Sequence, residues 1–228
     1  MSEPKRILLV GATGLIGTEV MRQAITCPQL RLVALARREA PLPRGARMEM
    51  LVADPAHWDQ AIATIQPDAV ICALGTTFAA AGKDETAFRA VDQDLVLAVA
   101  RAARAAGVER FVLVSSVGAA ISGKTLYLRV KGEVEQALGK LGFRRLDFLQ
   151  PGLLRGARGE LRVLERLARL LAPATDLLLQ GQWRRYRSIR AAVVARAALA
   201  AALEKPGGRF AHEHDGILRL AGKLEQGE

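Results

Sequence analysis

The sequence predicts an α/β fold with a doubly wound, mostly parallel sheet that carries helices on both faces. Six short apolar runs alternate with stretches of helical periodicity, which is the element order of a βαβ protein. Most of these runs are continuous rather than alternating, and strands that are buried on both faces have this composition. The predicted strands are Ile7–Val10, Leu30–Ala36, Met48–Val52, Ala69–Leu74, Phe111–Val114 and Arg145–Leu149.

Helices are predicted between these strands, because apolar residues recur there at helical spacing. The longest predicted helix is Asp84–Ala106. Its apolar face is expected to consist of Phe88, Val91, Leu95, Val99 and Ala102. The other predicted helices are Leu15–Ile25, His57–Ile65, Tyr127–Leu141 and Ala191–Leu203.

The chain is predicted to form one domain over residues 1–228, with a small substrate-side lobe at about 152–190. An Arg- and Leu-rich helical stretch at 155–179 belongs to this lobe, and residues 180–189 are expected to be extended. The polar tail at 222–228 is expected to be frayed.

The charge and composition of the chain indicate which classes of ligand it can bind. The formal net charge is +10, from 33 basic and 23 acidic residues, but the basic residues are scattered and only 4% of the chain is aromatic. Nucleic acid is therefore an improbable partner, since its binding uses basic stripes and stacking aromatics. A basic surface that suits phosphorylated ligands is the preferred interpretation.

The cysteines and histidines predict neither a disulfide framework nor a metal site. Cys27 and Cys72 lack metal-ligand spacing, and the histidines of His212–Asp215 would not share a helical face. The apolar stretch Ile7–Val10 is too short for a signal peptide or a membrane span. We therefore expect a reduced, cytoplasmic protein without a transmembrane segment; the sequence leaves the oligomeric state open.

A glycine-rich turn lies between the first predicted strand and the first predicted helix. Gly11 permits a sharp turn, Gly14 lets backbone N–H groups reach a pyrophosphate, and Gly17 lets the helix pack against the strand. The helix N-terminus adds a partial positive charge that favours phosphates. The turn predicts a Rossmann-type dinucleotide site formed by Gly11, Thr13, Gly14, Leu15, Ile16 and Gly17.

The end of the second strand indicates which dinucleotide binds. Sites for NAD(H) usually carry a carboxylate there that binds the ribose 2′-hydroxyl, but this strand ends in Arg37-Arg38. Two guanidinium groups suit a 2′-phosphate, so NADP(H) is favoured over NAD(H). Solvated arginines without a ligand are the alternative.

A serine pair, a tyrosine and a lysine follow the fifth strand at spacings that suit carbonyl chemistry. Tyr127 lies eleven residues after Ser116, and Lys131 lies four residues after Tyr127 on the same helical face. A lysine ammonium beside a phenol favours the phenolate, so Tyr127 would act as general acid/base. A serine would hydrogen-bond the carbonyl oxygen; Ser116 is preferred for this role, and Ser115 stays open.

These features resemble the atypical short-chain dehydrogenase/reductases, most closely the branch with the Tat-interacting-protein oxidoreductases and the NmrA-like reductases. The Gly-x-x-Gly-x-x-Gly spacing carries part of the resemblance. The remainder lies in Leu74-Gly75-Thr76-Thr77, Val91-Asp92-Gln93-Asp94, Ser115-Ser116, the stretch Tyr127–Glu135 and Pro151-Gly152.

The resemblance implies further cofactor contacts. Gly75 and Thr76 would approach the cofactor ribose, next to Leu74, and Pro151, Gly152 and Leu153 would line the nicotinamide side. In the enzyme hypothesis, Lys131 would also hold the nicotinamide ribose. Asp54 resembles the family's aspartate near the adenine amine. Capping of a helix accounts for Asp54 equally well.

Three functions use these residues. The first is an NADP(H)-dependent oxidoreductase that acts on a small carbonyl or quinone-like substrate. The second is a non-catalytic redox sensor, and the third is an isomerase or dehydratase of a nucleotide-linked sugar. Tyr127 and Lys131 together favour an enzyme over a sensor, and the brief segment after Pro151 counts against the sugar nucleotide. The fold supports cofactor binding better than any one substrate.

Overall fold

A computed structural model of the protein describes residues 3–155 and 181–226. Its strands are β1 (Lys5–Val10), β2 (Leu30–Ala36), β3 (Glu49–Val52), β4 (Ala69–Cys72), β5 (Arg110–Val114), β6 (Arg145–Leu149), β7 (Leu154–Arg155), β8 (Ile189–Arg190) and β9 (Gly208–His212). Seven of the described strands form a parallel sheet in the order β3-β2-β1-β4-β5-β6-β9. The predicted doubly wound parallel fold is confirmed.

Helices pack on both faces of this sheet. They are α1 (Leu15–Ala24), α2 (Trp58–Ile65), α3 (Glu85–Arg89), α4 (Val96–Ala105), α5 (Leu126–Leu138), α6 (Ala191–Leu203) and α7 (His214–Gln226). Val20 of α1 and Val194 of α6 belong to the core on one face, and Ile62 of α2 and Val134 of α5 belong to the core on the other. Among the described residues, no helix has both the length and the apolar character that a membrane span requires.

Burial follows the position of a strand in the sheet. Ile7–Val10 and Ala69–Cys72 lie at the centre and are fully buried, as their continuous apolar runs predict. Each fully buried large apolar side chain contributes roughly 1.5–3 kcal/mol through the hydrophobic effect. The chain reverses direction across the sheet between β1 and β4, and the carboxyl edge at such a switch point is where α/β proteins bind ligands.

The long helix predicted over 84–106 is interrupted in the structure. Ala90–Leu95 is π-helical and separates α3 from α4. The wider turn moves the buried face, so Phe88, Asp92 and Val96 are fully buried whereas Val91 of the predicted face is only partly buried. Single π-helical turns are frequent at functional sites.

The C-terminal part departs most from the prediction. Residues 181–186 form a 3₁₀ helix where an extended stretch was expected, and only Ile189–Arg190 is a strand, paired with β7. β9 and α7 have no counterpart in the prediction, and α7 extends into the tail that was expected to fray. The predicted helix at 155–179 lies, beyond Arg155, outside the described residues.

Candidate functional site

The glycine turn brings three backbone segments into close contact. Gly11 has a φ of +92°, and a Cβ at this position would lie 2.5 Å from the carbonyl oxygen of Ala73. A Cβ on Gly17 would lie 2.1 Å from the carbonyl oxygen of Gly11. Larger residues would therefore separate α1 from β1 and the turn from β4. Gly14 precedes α1 without a side-chain cap, which leaves the first N–H groups of the helix facing the turn.

A groove at the carboxyl edge of the sheet joins three of the predicted cofactor segments. The glycine turn forms its centre, the end of β2 forms one side, and the segment after β4 forms the other. The lining residues are Gly11, Ala12, Thr13, Gly14, Leu35, Ala36, Arg37, Arg38, Trp58, Ala73, Leu74, Gly75 and Val91. The backbone N–H groups of its glycine turn suit the pyrophosphate of a dinucleotide. Leu15 and Ile16 begin α1 behind it, and Ile16 packs in the core.

Arg37 and Arg38 are exposed at the end of this groove. Within the described part of the chain, neither guanidinium has an ion-pair partner, so both are available to a ligand. Asp54 is not part of the groove lining; its carboxylate accepts a hydrogen bond of 2.8 Å from the N–H of Ala56 and caps the 3₁₀ turn Pro55–His57. The structure thus favours capping as the role of Asp54.

Tyr127 lies in the first turn of α5, between Phe88 and Lys131. The ring centroids of Tyr127 and Phe88 are 6.1 Å apart. The Lys131 Nζ lies 5.9 Å from the centroid of the tyrosine ring. Thr125 caps α5 by accepting a hydrogen bond from the N–H of Leu128, which fixes the helix start and hence the position of Tyr127.

The charge of Lys131 is buried and is balanced by Asp92. The Lys131 Nζ lies 2.9 Å from Oδ1 of Asp92, and the two residues are 3% and 0% exposed. The second carboxylate oxygen, Oδ2, accepts a hydrogen bond of 2.8 Å from the N–H of Thr76. Asp92 therefore connects α5 to the segment after β4, for which ribose contacts are predicted.

This environment keeps Lys131 protonated. Desolvation by burial lowers its pKa and is the largest single influence, but the attraction of Asp92 and Tyr127 and the hydrogen bond to Asp92 outweigh it, so the net pKa is raised. A positive charge consequently persists beside Tyr127 at neutral pH. Burial also raises the pKa of nearby Cys72 to about 11, which leaves its thiol protonated and a poor nucleophile.

The two adjacent serines have different surroundings. Ser115 is buried, and its Oγ donates a hydrogen bond of 2.5 Å to Glu135, whose carboxylate also accepts from the Nε2 of Gln150 at 2.9 Å. Burial raises the pKa of Glu135, although both hydrogen bonds oppose this. Ser116 is half-buried, and the contact of its hydroxyl with the described residues is a long one, 3.4 Å to the carbonyl oxygen of Val117. Ser116 is therefore the serine whose hydroxyl is more available.

The segment after β6 lies against the other loops of the carboxyl edge. Pro151 accepts a backbone hydrogen bond of 3.0 Å from Val117, which joins this segment to the one after β5. The backbone of Gly152 lies so close to the 3₁₀ turn 181–186 that a Cβ would be 2.9 Å from the carbonyl oxygen of Tyr186. Leu153 is 50% exposed.

Asp92 is the main site residue to which sequence reasoning gave no role. The sequence feature that could have identified Asp92 is its helical spacing from two apolar residues: it lies four positions after Phe88 and four before Val96. A charge on a core face needs a partner, and that partner is 39 residues away in sequence (131 minus 92). Trp58 and Val91 also line the groove without having been predicted there.

The two histidines near the C-terminus each contact a carboxylate, and the Nδ1 of His214 lies 2.9 Å from Asp215. The Nε2 of His212 lies 2.7 Å from Asp147, which also pairs with Arg145 at 2.6 Å. Because Arg145 and Asp147 belong to β6 and His212 belongs to β9, this cluster joins the two strands through their side chains. The structure brings together no group of three potential metal ligands within residues 3–155 and 181–226.

Comparison with known proteins identifies both a family and relatives. Residues 11–147 match the model of the NAD(P)H-binding family. Relatives include two proteins named "Protein fmp52, mitochondrial". The one from Emericella nidulans is 36% identical over 175 residues, which cover 74% of this chain and 75% of that protein. The one from Aspergillus fumigatus is 34% identical over 212 residues, which cover 89% of this chain and 88% of that protein.

The names of these relatives overturn the expectation of a cytoplasmic protein, because they place the related proteins in mitochondria. The prediction rested on the absence of a disulfide framework and of a secretory signal. Disulfides and secretory signals distinguish proteins of oxidising compartments from proteins of reducing compartments. Their absence therefore does not indicate which reducing compartment a protein occupies.

Solved structures support the fold. UDP-glucose 4-epimerase from Brucella ovis, in complex with NAD, has a TM-score of 0.70 and 17% identity over 91% of this chain and 76% of that chain. The Bordetella bronchiseptica enzyme WbmH, in complex with NAD+, has a TM-score of 0.68 and 16% identity over 92% and 75%. At such low identity this likeness shows the fold alone.

Proposed function

The chain belongs to the NAD(P)H-binding family and is a relative of the Fmp52 proteins, and on this basis we propose that it is an NADP(H)-dependent oxidoreductase that reduces a small carbonyl or quinone-like substrate. The observation that carries the proposal is the buried Lys131 ammonium, held by Asp92 and 5.9 Å from the ring of Tyr127. A charge buried beside a phenol favours an enzyme over a protein that only binds the cofactor, because it stabilises the tyrosinate that proton transfer leaves. Within the family, the stretch Tyr127–Glu135 favours the branch of the Tat-interacting-protein and NmrA-like reductases.

In the proposed reaction, Tyr127 donates its phenolic proton to the carbonyl oxygen, and the Ser116 hydroxyl hydrogen-bonds the same oxygen. When bound, the reduced nicotinamide supplies a hydride to the carbonyl carbon, so the carbonyl becomes an alcohol and the cofactor is oxidised. The Lys131 ammonium stabilises the tyrosinate that remains after proton transfer. Ser115 is not assigned this role, because its hydroxyl is bound to Glu135.

The groove residues fit the cofactor. The glycine turn 11–17 and the N-terminus of α1 would hold the pyrophosphate, and Arg37 and Arg38 would hold a 2′-phosphate. Leu74–Thr76 and Lys131 would contact the nicotinamide ribose. Residues 151–153 would border the nicotinamide, with the segment 152–190 as the substrate-side lobe.

Removal of the guanidinium groups tests the preference for NADP(H). We expect the double variant Arg37→Ala/Arg38→Ala to bind NADPH about 10- to 100-fold more weakly, since a hydrogen bond to a charged group contributes about 1.5–3 kcal/mol. Affinity for NADH, which lacks the phosphate, should change little. The measurement is a titration that follows the fluorescence of the reduced nicotinamide.

A matched control is Arg101→Ala, which removes an exposed arginine from α4, away from the groove. It should leave both affinities unchanged. Equal affinity of the unaltered protein for NADPH and NADH would contradict the assignment of Arg37 and Arg38.

Consumption of the cofactor tests the reaction class. We expect the protein to oxidise one NADPH for each aldehyde, ketone or quinone reduced, measured by the loss of nicotinamide absorbance in a substrate screen. Conversion of UDP-glucose with the cofactor returned unchanged would support an isomerase instead. Tight NADPH binding without turnover of any compound would support a redox sensor.

A further inference from the structure

Several exposed apolar side chains lie in the loops at the carboxyl edge of the sheet, where α5 begins with Leu126 and Tyr127. Phe78 follows β4, Ile121 follows β5 and Leu153 follows β6, and they are 40%, 52% and 50% exposed. Because β4, β5 and β6 are parallel neighbours, the segments after them share the carboxyl edge of the sheet. The exposed Trp183 belongs to the 3₁₀ turn that lies against Gly152 at the same edge.

One of these residues, Phe78, is joined to the candidate catalytic residue Tyr127 by aromatic contacts through Phe88. Tyr127 contacts Phe88 at a centroid distance of 6.1 Å, and Phe88 contacts Phe78 edge-to-face at 6.2 Å. Phe88 is fully buried, whereas Phe78 is accessible. A ring placed beside Tyr127 would therefore extend aromatic packing that already exists in the protein.

The arginines of the 3₁₀ turn at this edge face carboxylates of the C-terminal segment, which reduces the positive charge that the pyrophosphate of a sugar nucleotide would meet there. Arg184 lies 3.7 Å from Asp215, and Arg185 lies 3.7 Å from Glu213. Lys131, the nearest buried cation to Tyr127 that the structure describes, is paired with Asp92.

We infer that this apolar rim, formed by Phe78, Ile121, Leu153 and Trp183, is a substrate subsite for the flat, apolar body of an aromatic carbonyl compound. The inference rests on the proposed function, because the rim is useful only if a carbonyl reaches Tyr127. Phe78 is its specificity-determining residue, since it is both accessible and joined to Tyr127 through Phe88. Polar carbonyl compounds of similar reactivity would bind there weakly.

Binding of two methyl ketones tests the subsite without turnover. 2-Acetonaphthone and hydroxyacetone are titrated by calorimetry into the full chain saturated with NADP+, which cannot reduce them. We expect 2-acetonaphthone to bind at least about 10-fold more tightly, because it buries an aromatic surface that hydroxyacetone lacks. Phe78→Ala should weaken its binding about 10-fold, and Phe78→Tyr, which keeps the ring, should restore it.

The control is Ile25→Ala, which removes an apolar residue of similar exposure (39%) at the C-terminal end of α1, away from the carboxyl edge. This variant should bind both ketones as the unaltered protein does. Equal binding of the two ketones, or an unchanged affinity in Phe78→Ala, would overturn the inference. Selective, Phe78-dependent binding of 2-acetonaphthone without NADPH oxidation on any carbonyl compound would refute the proposed reaction and leave the apolar subsite standing.

Discussion

Tyr127→Phe is expected to abolish turnover while leaving the affinity for NADPH nearly unchanged. The substitution removes only the phenolic oxygen, which in the proposed reaction gives the proton to the substrate. A positioned general acid contributes about 10²- to 10⁴-fold to a rate, so kcat should fall by at least that factor. The ring remains packed on Phe88, and the ion pair of Lys131 with Asp92 does not involve the hydroxyl.

The measurement combines steady-state NADPH oxidation with a fluorescence titration of NADPH. Thr64→Val is the control, since it removes an exposed hydroxyl from α2, outside the groove and outside the segment 152–190. That variant should keep normal turnover. A Tyr127→Phe variant with full activity would remove the phenol from the reaction, and loss of both turnover and NADPH binding would indicate a structural role.

Asp92→Ala is expected to destabilise the protein strongly. It would leave the Lys131 ammonium buried without its partner, and breaking a buried ion pair from one side costs roughly 3–5 kcal/mol. The same change frees the backbone N–H of Thr76, which donates to Asp92. The measurement is the free energy of unfolding from urea denaturation at neutral pH, with Asp94→Ala as the control, because Asp94 is an exposed carboxylate on the same π-helical turn.

A double substitution separates the charge from the packing. Asp92→Leu combined with Lys131→Met removes both charges, and buried ion pairs can often be replaced by apolar residues at little cost, so this variant should be much more stable than Asp92→Ala. It should nevertheless lack turnover, since the ammonium is gone. Equal free energies of unfolding for the unaltered protein, Asp92→Ala and the double variant would show that the ion pair contributes little to stability.

The stabilisation that the Lys131–Asp92 pair provides is expected to depend on pH in one direction. Because the folded pKa of Lys131 is raised, its stabilising contribution is fully present below the ordinary lysine pKa of about 10.4 and is lost only as the pH rises through the raised value. The contribution of Lys131 to the free energy of unfolding of the unaltered protein should therefore stay constant between about pH 6 and pH 9. In Asp92→Ala, burial without the partner lowers the lysine pKa, so the lysine becomes neutral as the pH rises and the stability difference between the two proteins should shrink toward pH 9.

The predictions that succeeded depend on local patterns. The runs Ile7–Val10 and Ala69–Cys72 are buried on both faces, and this condition is visible in their composition. The glycine turn is equally local, because Gly11 and Gly17 must permit contacts within one strand–turn–helix unit and with the next strand. The positions of Arg37 and Arg38 follow from the end of β2.

The predictions that failed concern elements whose stability comes from distant contacts. β9 begins with a glycine and contains two polar residues, Arg209 and His212; it is a strand because it pairs with β6 and because His212 contacts Asp147. α7 has a polar C-terminal half, yet its apolar residues Ile217 and Leu220 are covered by the core that includes α6. No periodicity within residues 208–226 identifies these partners.

The sequence by itself determined the parallel α/β fold and the glycine turn, because burial periodicity and spacing along one turn are local properties. It also predicted Ser116, Tyr127 and Lys131 as candidate catalytic residues from their spacing, and this assignment stays a prediction. Only the tertiary structure decided that Asp92 balances Lys131, that Ser115 turns toward Glu135 and that Asp54 caps a turn rather than lining the groove. Each of these depends on which charged or polar groups meet once distant segments pack together. A buried charge or hydroxyl must find its partner in space, and that partner is fixed by the fold rather than by sequence distance.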